Sequence, residues 1–302
     1  MATGIRRDGG KVIHEGHVNA EPAAAVYLVG AASIASIAES LRAARVDELP
    51  GWIGKFGKDE RLGVRKLVRA AQKRLASYEE ERRRTQALMK YEKKYAAFSC
   101  LCGVDEVGRG PLAGPVMAGA VILPKDCEIL YLNDSKQLSA KQREALYEVL
   151  LEKAVSWGIG CASPERIDEI NILRATYEAM REAISKLSVR PDLLLNDAVT
   201  IPGVEIAQVP IIKGDAKSVS IAAASIMAKV TRDRLMAEYG KQYPEYDFAG
   251  NKGYGSAGHI AALKKYGPTP IHRKSFIRNF IGASAAATAN RLSPWPGFPL
   301  DA

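Results

Sequence analysis

The chain has 302 residues, 47% of them hydrophobic and 25% charged, with a net charge of +9 and an isoelectric point near 9.3. This is ordinary globular material with room for one large domain and a smaller one. No apolar run reaches the length of about 18 residues that a membrane span needs, and the opening MATGIRRDGGKVIHEGH lacks the apolar core of a secretory signal, so the cytoplasm is the expected location.

A basic chain favours an acidic partner, because polyanions bind cationic faces by releasing counterions. Charge alone fits a solvated surface equally well, so a site must accompany it. Cys100, Cys102, Cys127 and Cys161 form no CxxC pair and read as buried, reduced thiols.

Residues 1–29 carry no usable periodicity and read as a flexible tail. From Ser33 a helical pattern runs through Ile34, Ile37, Leu41 and Ala44 and ends near Pro50. A second pattern follows through Val64, Leu67, Val68, Ala71 and Leu75, so residues 30–97 form a helical extension. Its second half is basic, with Arg65, Lys66, Arg69, Lys73, Arg74 and the run Arg82 to Arg84. That face could lie along phosphates, or be a solvated surface with Glu79 to Glu81 as partners.

Phe98 to Val104 reads as a buried strand that delivers Asp105 and Glu106 at its end, and Val116 to Leu123 as another strand. NDSKQLS, from Asn133, is turn-like before a helix over Ala140 to Lys153. Strands then follow over Val155 to Ala162, Asp192 to Asn196 and Val204 to Val209, with a helix over Ile170 to Leu187. Ser218 to Tyr239 is a helix whose first turns, SVSIAAASIMAK, are nearly all small, which lets its backbone pack closely on a sheet. A shorter helix over Ala257 to Lys265 leads to His272-Arg273-Lys274, and 281–302 is a loose tail. The alternation predicts an α/β layer fold over 98–280.

The chemistry gathers around GVDEVGRGPLAGP, Gly103 to Pro115. Gly108, Gly110 and Gly114 permit backbone conformations in which main-chain N–H groups face a ligand. A dinucleotide-binding reading of GRGPLA fails, because that pattern must open a helix and here VMAGAVIL opens a strand. Asp197 directly follows one strand and Asp215 directly precedes a helix. Singly, Asp215 fits a helix N-cap and Asp197 a turn former. Together with Asp105 and Glu106 they make a cluster whose repulsion requires cations. An all-oxygen set suits Mg²⁺ or Mn²⁺, and two ions about 3.5–4 Å apart would serve phosphoryl transfer.

The strings GVDEVGRGPLAGPVMAGAVIL, NDSKQLS, IDEINI, GDAKSVSIAAASIMAKVTRDR, NKGYG and HRKSF, in this order, resemble bacterial ribonuclease HII. The likeness implies a ribonuclease H-like mixed sheet flanked by helices, after a small helical extension like that around KDERLGVRKLV. It implies cleavage of the RNA strand in RNA–DNA hybrids and at single ribonucleotides embedded in duplex DNA. By the same resemblance Asp105, Glu106, Asp197 and Asp215 are the metal-binding catalytic carboxylates. Gly108, Arg109 and Gly110 would read the ribonucleotide's 2′-hydroxyl and adjacent phosphate, and Tyr254 would pack on the following sugar. Lys136, Lys213, Lys217 and Arg273 are expected phosphate contacts. Asn196, where many members carry Val, is polar at a position expected to be buried. Ribonuclease HIII shares the chemistry but has Lys in the glycine loop, so Arg109 favours HII. A hybrid-binding protein without chemistry and an enzyme restricted to long hybrids are the rival readings. No heptad zipper is present, and a monomer is expected.

Overall fold

A computed structural model describes residues 32–281. The tail expected over 1–29 lies outside the described residues, as does that over 281–302 apart from Ile281. The chain divides between Tyr78 and Glu79 into two compact units. Among the described residues no helix is long and apolar enough to cross a membrane.

The first unit is helical: α1 (Ile34–Ala43), α2 (Leu49–Phe56) and the first part of α3 (Leu62–Leu88). Ser33 caps α1 by accepting from the Ser36 N–H. Pro50 does not end a helix, as its position suggests, but sits in the first turn of α2, where its missing N–H leaves no bond unmade. Ile37, Leu41, Leu49, Phe56, Val64 and Val68 bury together. The Arg74 guanidinium donates to the Leu41 and Ala44 carbonyls at 3.4 and 3.0 Å, closing the C-terminus of α1. Arg65, Lys66, Arg69 and Lys73 are exposed on α3.

In the second unit Arg82 and Arg84 are engaged side chains. Arg82 pairs with Glu128 at 3.1 Å, and Arg84 pairs with Glu81 at 2.7 Å while donating to the Leu132 carbonyl. After α4 (Lys90–Lys94) come β1 (Leu101–Val107) and β2 (Val116–Ile122), paired antiparallel. The strand expected over Phe98 to Val104 is thus shifted by three residues, because pairing with β2 continues through Val107. Asp105 and Glu106 therefore lie within a strand. α5 (Ala140–Lys153) starts at a capping box of Ser139 and Gln142, and β3 (Ser156–Ala162) pairs antiparallel with β2.

The single helix expected over Ile170 to Leu187 is two, α6 (Pro164–Ile170) and α7 (Ile172–Ser185). Asn171 separates them at φ 69°, and its side chain accepts from the Leu173 and Arg174 N–H groups. β4 (Leu193–Asp197) and β5 (Ala207–Ile211) run parallel to β1, giving the mixed order β3-β2-β1-β4-β5. α8 (Val219–Gln242) packs on β1 and β2, and α7 packs on β2 and β3. α9 (Phe248–Asn251), α10 (Ala257–Tyr266) and α11 (Lys274–Ile277) complete the unit.

The small first turns of α8 meet a glycine on the sheet. A β-carbon on Gly103 would overlap the Ser220 backbone, so helix and strand approach as only hydrogen permits. Asn196 is fully buried on β4 and donates to Gln208 Oε1 at 2.8 Å, while Gln208 in turn bonds the Ile201 N–H and carbonyl. The polar residue thus ties β4 to the loop that follows. Of the four cysteines only Cys102 is fully buried; the other three are half-buried, and all four are free thiols.

Candidate active site

Strand register brings the first carboxylates together. β1 and β4 are adjacent and parallel with Val104 opposite Asn196, so the next residues, Asp105 and Asp197, stand side by side. Asp215 arrives from the far side, in the short 3₁₀ turn Gly214–Ala216 that leads into α8. The Gly214 N–H donates to Asp197 Oδ1 at 2.6 Å and holds that turn against the end of β4.

Asp105 is buried, and its Oδ1 accepts from the Glu106 N–H at 2.8 Å. Burial raises its carboxyl well above the ordinary range, the Glu106 charge adds to this, a hydrogen bond from Ser225 opposes it, and Asp197 adds further. Burial also raises Glu106, against the nearby Arg109, with Asp197 pushing the same way as burial. Asp215 is raised by burial, then by the charges of Asp134 and Asp197. For Lys136, burial works against the charge, but Asp134, Asp215, Asp105 and Asp197 outweigh it and raise its pKa. These four expected carboxylates and Lys136 therefore share one electrostatic field.

Among the described residues no three acidic, histidine or cysteine side chains are already closed into a metal cage. The carboxylates take protein donors instead, as the Asp105 and Asp197 bonds illustrate. Even so, the residues fit a hard divalent cation. Every donor is oxygen, three carboxyls are held at raised pKa by burial and one another, and Glu106 Oε2 is buried with no hydrogen-bond partner.

Gly108, at φ 85°, turns the chain out of β1. Arg109 is exposed and reaches back to Glu106 Oε1 at 3.3 Å. Tyr254 is 46% exposed and stands beside this loop: a β-carbon on Gly110 would be 3.7 Å from Tyr254 Cε1. The Tyr254 carbonyl bonds His259 Nδ1 at 2.8 Å, and His259 Nε2 meets His272 Nε2 at 3.0 Å. Lys213, in a left-handed conformation, and Lys217, which donates to the Ile212 carbonyl at 2.8 Å, are both exposed near Asp215.

Arg273 departs from expectation. It is fully buried and donates to the carbonyls of Gly108, Arg109 and Gly114 at 2.5, 2.9 and 2.9 Å. A guanidinium sealed against main chain holds the loop and does not contact a phosphate. Sequence reasoning also missed Asp134, Ser135 and Ser225. Ser135 and Ser225 hydroxyls meet at 2.9 Å beside Asp105, and Asp134 Oδ1 accepts the Lys136 N–H at 2.9 Å. The turn-forming character of NDSK is a signal for Asp134 and Ser135, while Ser225, in the small-residue run of α8, carries none.

A family model described as ribonuclease HII matches residues 102–279, and one described as ribonuclease HII N-terminal domain matches 33–96. The chain belongs to the ribonuclease HII family. A Lachnoclostridium phytofermentans protein named ribonuclease HII is 68% identical over 225 residues, spanning 74% of this chain and 89% of that one. A Clostridioides difficile protein of the same name is 49% identical over 251 residues, spanning 82% and 98%. The crystal structure of the ribonuclease H2 from Pyrococcus horikoshii OT3 aligns with a TM-score of 0.51 at 29% identity, covering 64% of this chain and 98% of that one. As a member of the ribonuclease HII family the chain is a ribonuclease H, a nuclease that hydrolyses phosphodiester bonds, built on a mixed sheet flanked by helices.

Proposed function

We propose that this ribonuclease cuts the RNA strand of RNA–DNA hybrids and also incises on the 5′ side of a single ribonucleotide embedded in duplex DNA, leaving 3′-hydroxyl and 5′-phosphate ends. The observation that carries the reading is the meeting of Asp105, Glu106, Asp197 and Asp215 beside a glycine loop and an exposed tyrosine. These four carboxylates would hold two Mg²⁺ or Mn²⁺ ions. When bound, such ions lower the pKa of an attacking water and neutralise the charge on the leaving 3′-oxygen.

The protein's own groups do the rest. Ser225 and the Glu106 N–H fix the Asp105 carboxyl, and the Gly214 N–H fixes Asp197. Lys136 offers a cation at the rim of the acidic cluster, where a scissile phosphate would sit. Lys213 and Lys217, exposed near Asp215, would contact phosphates of the nucleic acid. The Arg109 and Gly110 N–H groups would meet the 2′-hydroxyl and its phosphate, so the hydroxyl is a recognition handle and not the nucleophile. Tyr254 offers an aromatic face to the next sugar.

Tyr254→Ala is the test of this reading. Losing an aromatic platform costs about 1–3 kcal/mol, so kcat/KM on a duplex with one ribonucleotide should fall about tenfold to a hundredfold. A long hybrid, with many equivalent contacts, should be affected less. Equal kinetics on the single-ribonucleotide duplex would count against the junction-reading role. Wild-type cleavage confined to long hybrids would favour the narrower enzyme.

A further inference from the structure

Two arginines lie buried behind the glycine loop. Arg232 on α8 is 0% exposed and donates from Nε to Pro115, and from its terminal nitrogens to Lys252 and Ala113, at 3.0, 2.9 and 3.2 Å, all backbone carbonyls. Arg273 is likewise 0% exposed and holds Gly108, Arg109 and Gly114. Among the described residues neither forms an ion pair with a carboxylate. Two guanidiniums buried close together without a directly paired carboxylate are costly unless their donors are satisfied, and here main-chain oxygens satisfy them. Burial lowers their pKa values to about 10 for Arg232 and about 9 for Arg273, so both keep their charge at neutral pH.

The geometry of a trans peptide gives this a consequence. Its C=O and N–H point in opposite directions, so a guanidinium that captures the Gly108 and Arg109 carbonyls turns the Arg109 and Gly110 N–H groups the other way. Among the described residues no acceptor takes either of those N–H groups. A cation at the oxygen end of each peptide also strengthens its N–H as a donor. The anchoring runs further back. Asp168, in the IDEINI stretch, accepts from the Lys274 and Ser275 N–H groups at 2.7 and 2.8 Å and from the Ser275 hydroxyl, fixing the segment that carries Arg273.

We propose that Arg273, anchored through Asp168 and Ser275, and Arg232, bonded to the Ala113 and Pro115 carbonyls, form a buried cationic clamp that aims the Arg109 and Gly110 N–H groups and so sets the preference for a ribonucleotide over a deoxyribonucleotide. This rests on the loop reading given above. Both arginines are positioning residues: they touch the loop and not the substrate.

The test compares KM for a duplex bearing one ribonucleotide with the inhibition constant of the identical all-DNA duplex, in wild type and in Arg273→Lys. Lysine keeps the charge but cannot span three carbonyls. The expected result is a KM raised about tenfold, from lost charge-assisted hydrogen bonds, with kcat and the all-DNA inhibition constant changed less than about threefold. A merely structural lesion would lower the folded fraction and leave both affinities alike. If Arg273→Lys does not fold, Ser275→Ala leaves the guanidinium in place and should move the same ratio in the same direction by a smaller factor. An unchanged ratio in a folded variant overturns the clamp alone. A wild type that binds the two duplexes equally overturns the loop reading beneath it.

Discussion

Asp105→Asn is expected to abolish metal-dependent cleavage, a loss of at least about a thousandfold in kcat, while the protein unfolds at the same temperature or a higher one. Asparagine keeps the shape and loses the charge on which cation binding depends. The stability half of the result follows from the raised carboxyl: burial and the charges of Glu106 and Asp197 all disfavour ionised Asp105. A group whose folded pKa lies above its unfolded value withdraws stability as pH rises through that interval, and a neutral amide removes the penalty. Calorimetry beside single-turnover kinetics gives both numbers. A folded variant that still turns over would remove Asp105 from the chemistry.

Gly103→Ala should have the largest effect on the fold. The new methyl group would overlap the Ser220 carbonyl carbon and oxygen and the Ile221 nitrogen, atoms that no rotamer change can move. Either α8 lifts from the sheet or β1 bends, and the cost should be about 3 kcal/mol or more. Because α8 also carries Ser225 and follows the Asp215 turn, residual folded protein should cut slowly. A urea midpoint close to that of wild type would mean that strand and helix do not meet as described.

Much of this is legible in the sequence, for physical reasons that differ by element. Periodicity and caps marked α5 closely, since Ser139 and Gln142 close a capping box and apolar spacing does the rest. The small residues of SVSIAAASIMAK correctly implied a close helix-to-sheet approach. The joint placement of Asp105 and Asp197 followed from both lying at the ends of apolar runs, although β1 runs on through Val107 because its partner strand sets its length. The break at Asn171 was hidden by an apolar pattern that continues across it, and only a left-handed backbone separates α6 from α7.

Arg273 shows what sequence cannot carry. A basic residue between His272 and Lys274 reads as surface charge, and only tertiary structure places it under the glycine loop with three carbonyls around it. Asn196 is the converse. It looks misplaced in a buried strand; Gln208, from the neighbouring strand, accepts from its Nδ2, while its Oδ1 is buried without a hydrogen-bond partner. Asp105, Glu106, Asp197 and Asp215 are read as a set from their places at strand ends and from the family resemblance, whereas Ser135 and Ser225 carry no charge and give no such sign.

The most direct measurement is to map the product of a duplex DNA containing one ribonucleotide, incubated with Mg²⁺, with Mn²⁺ or with chelator. A nick on the 5′ side of the ribonucleotide, with 3′-hydroxyl and 5′-phosphate ends and only when metal is present, is the predicted result. A 2′,3′-cyclic phosphate, or cleavage that persists in chelator, would contradict hydrolysis supported by Asp105, Glu106, Asp197 and Asp215.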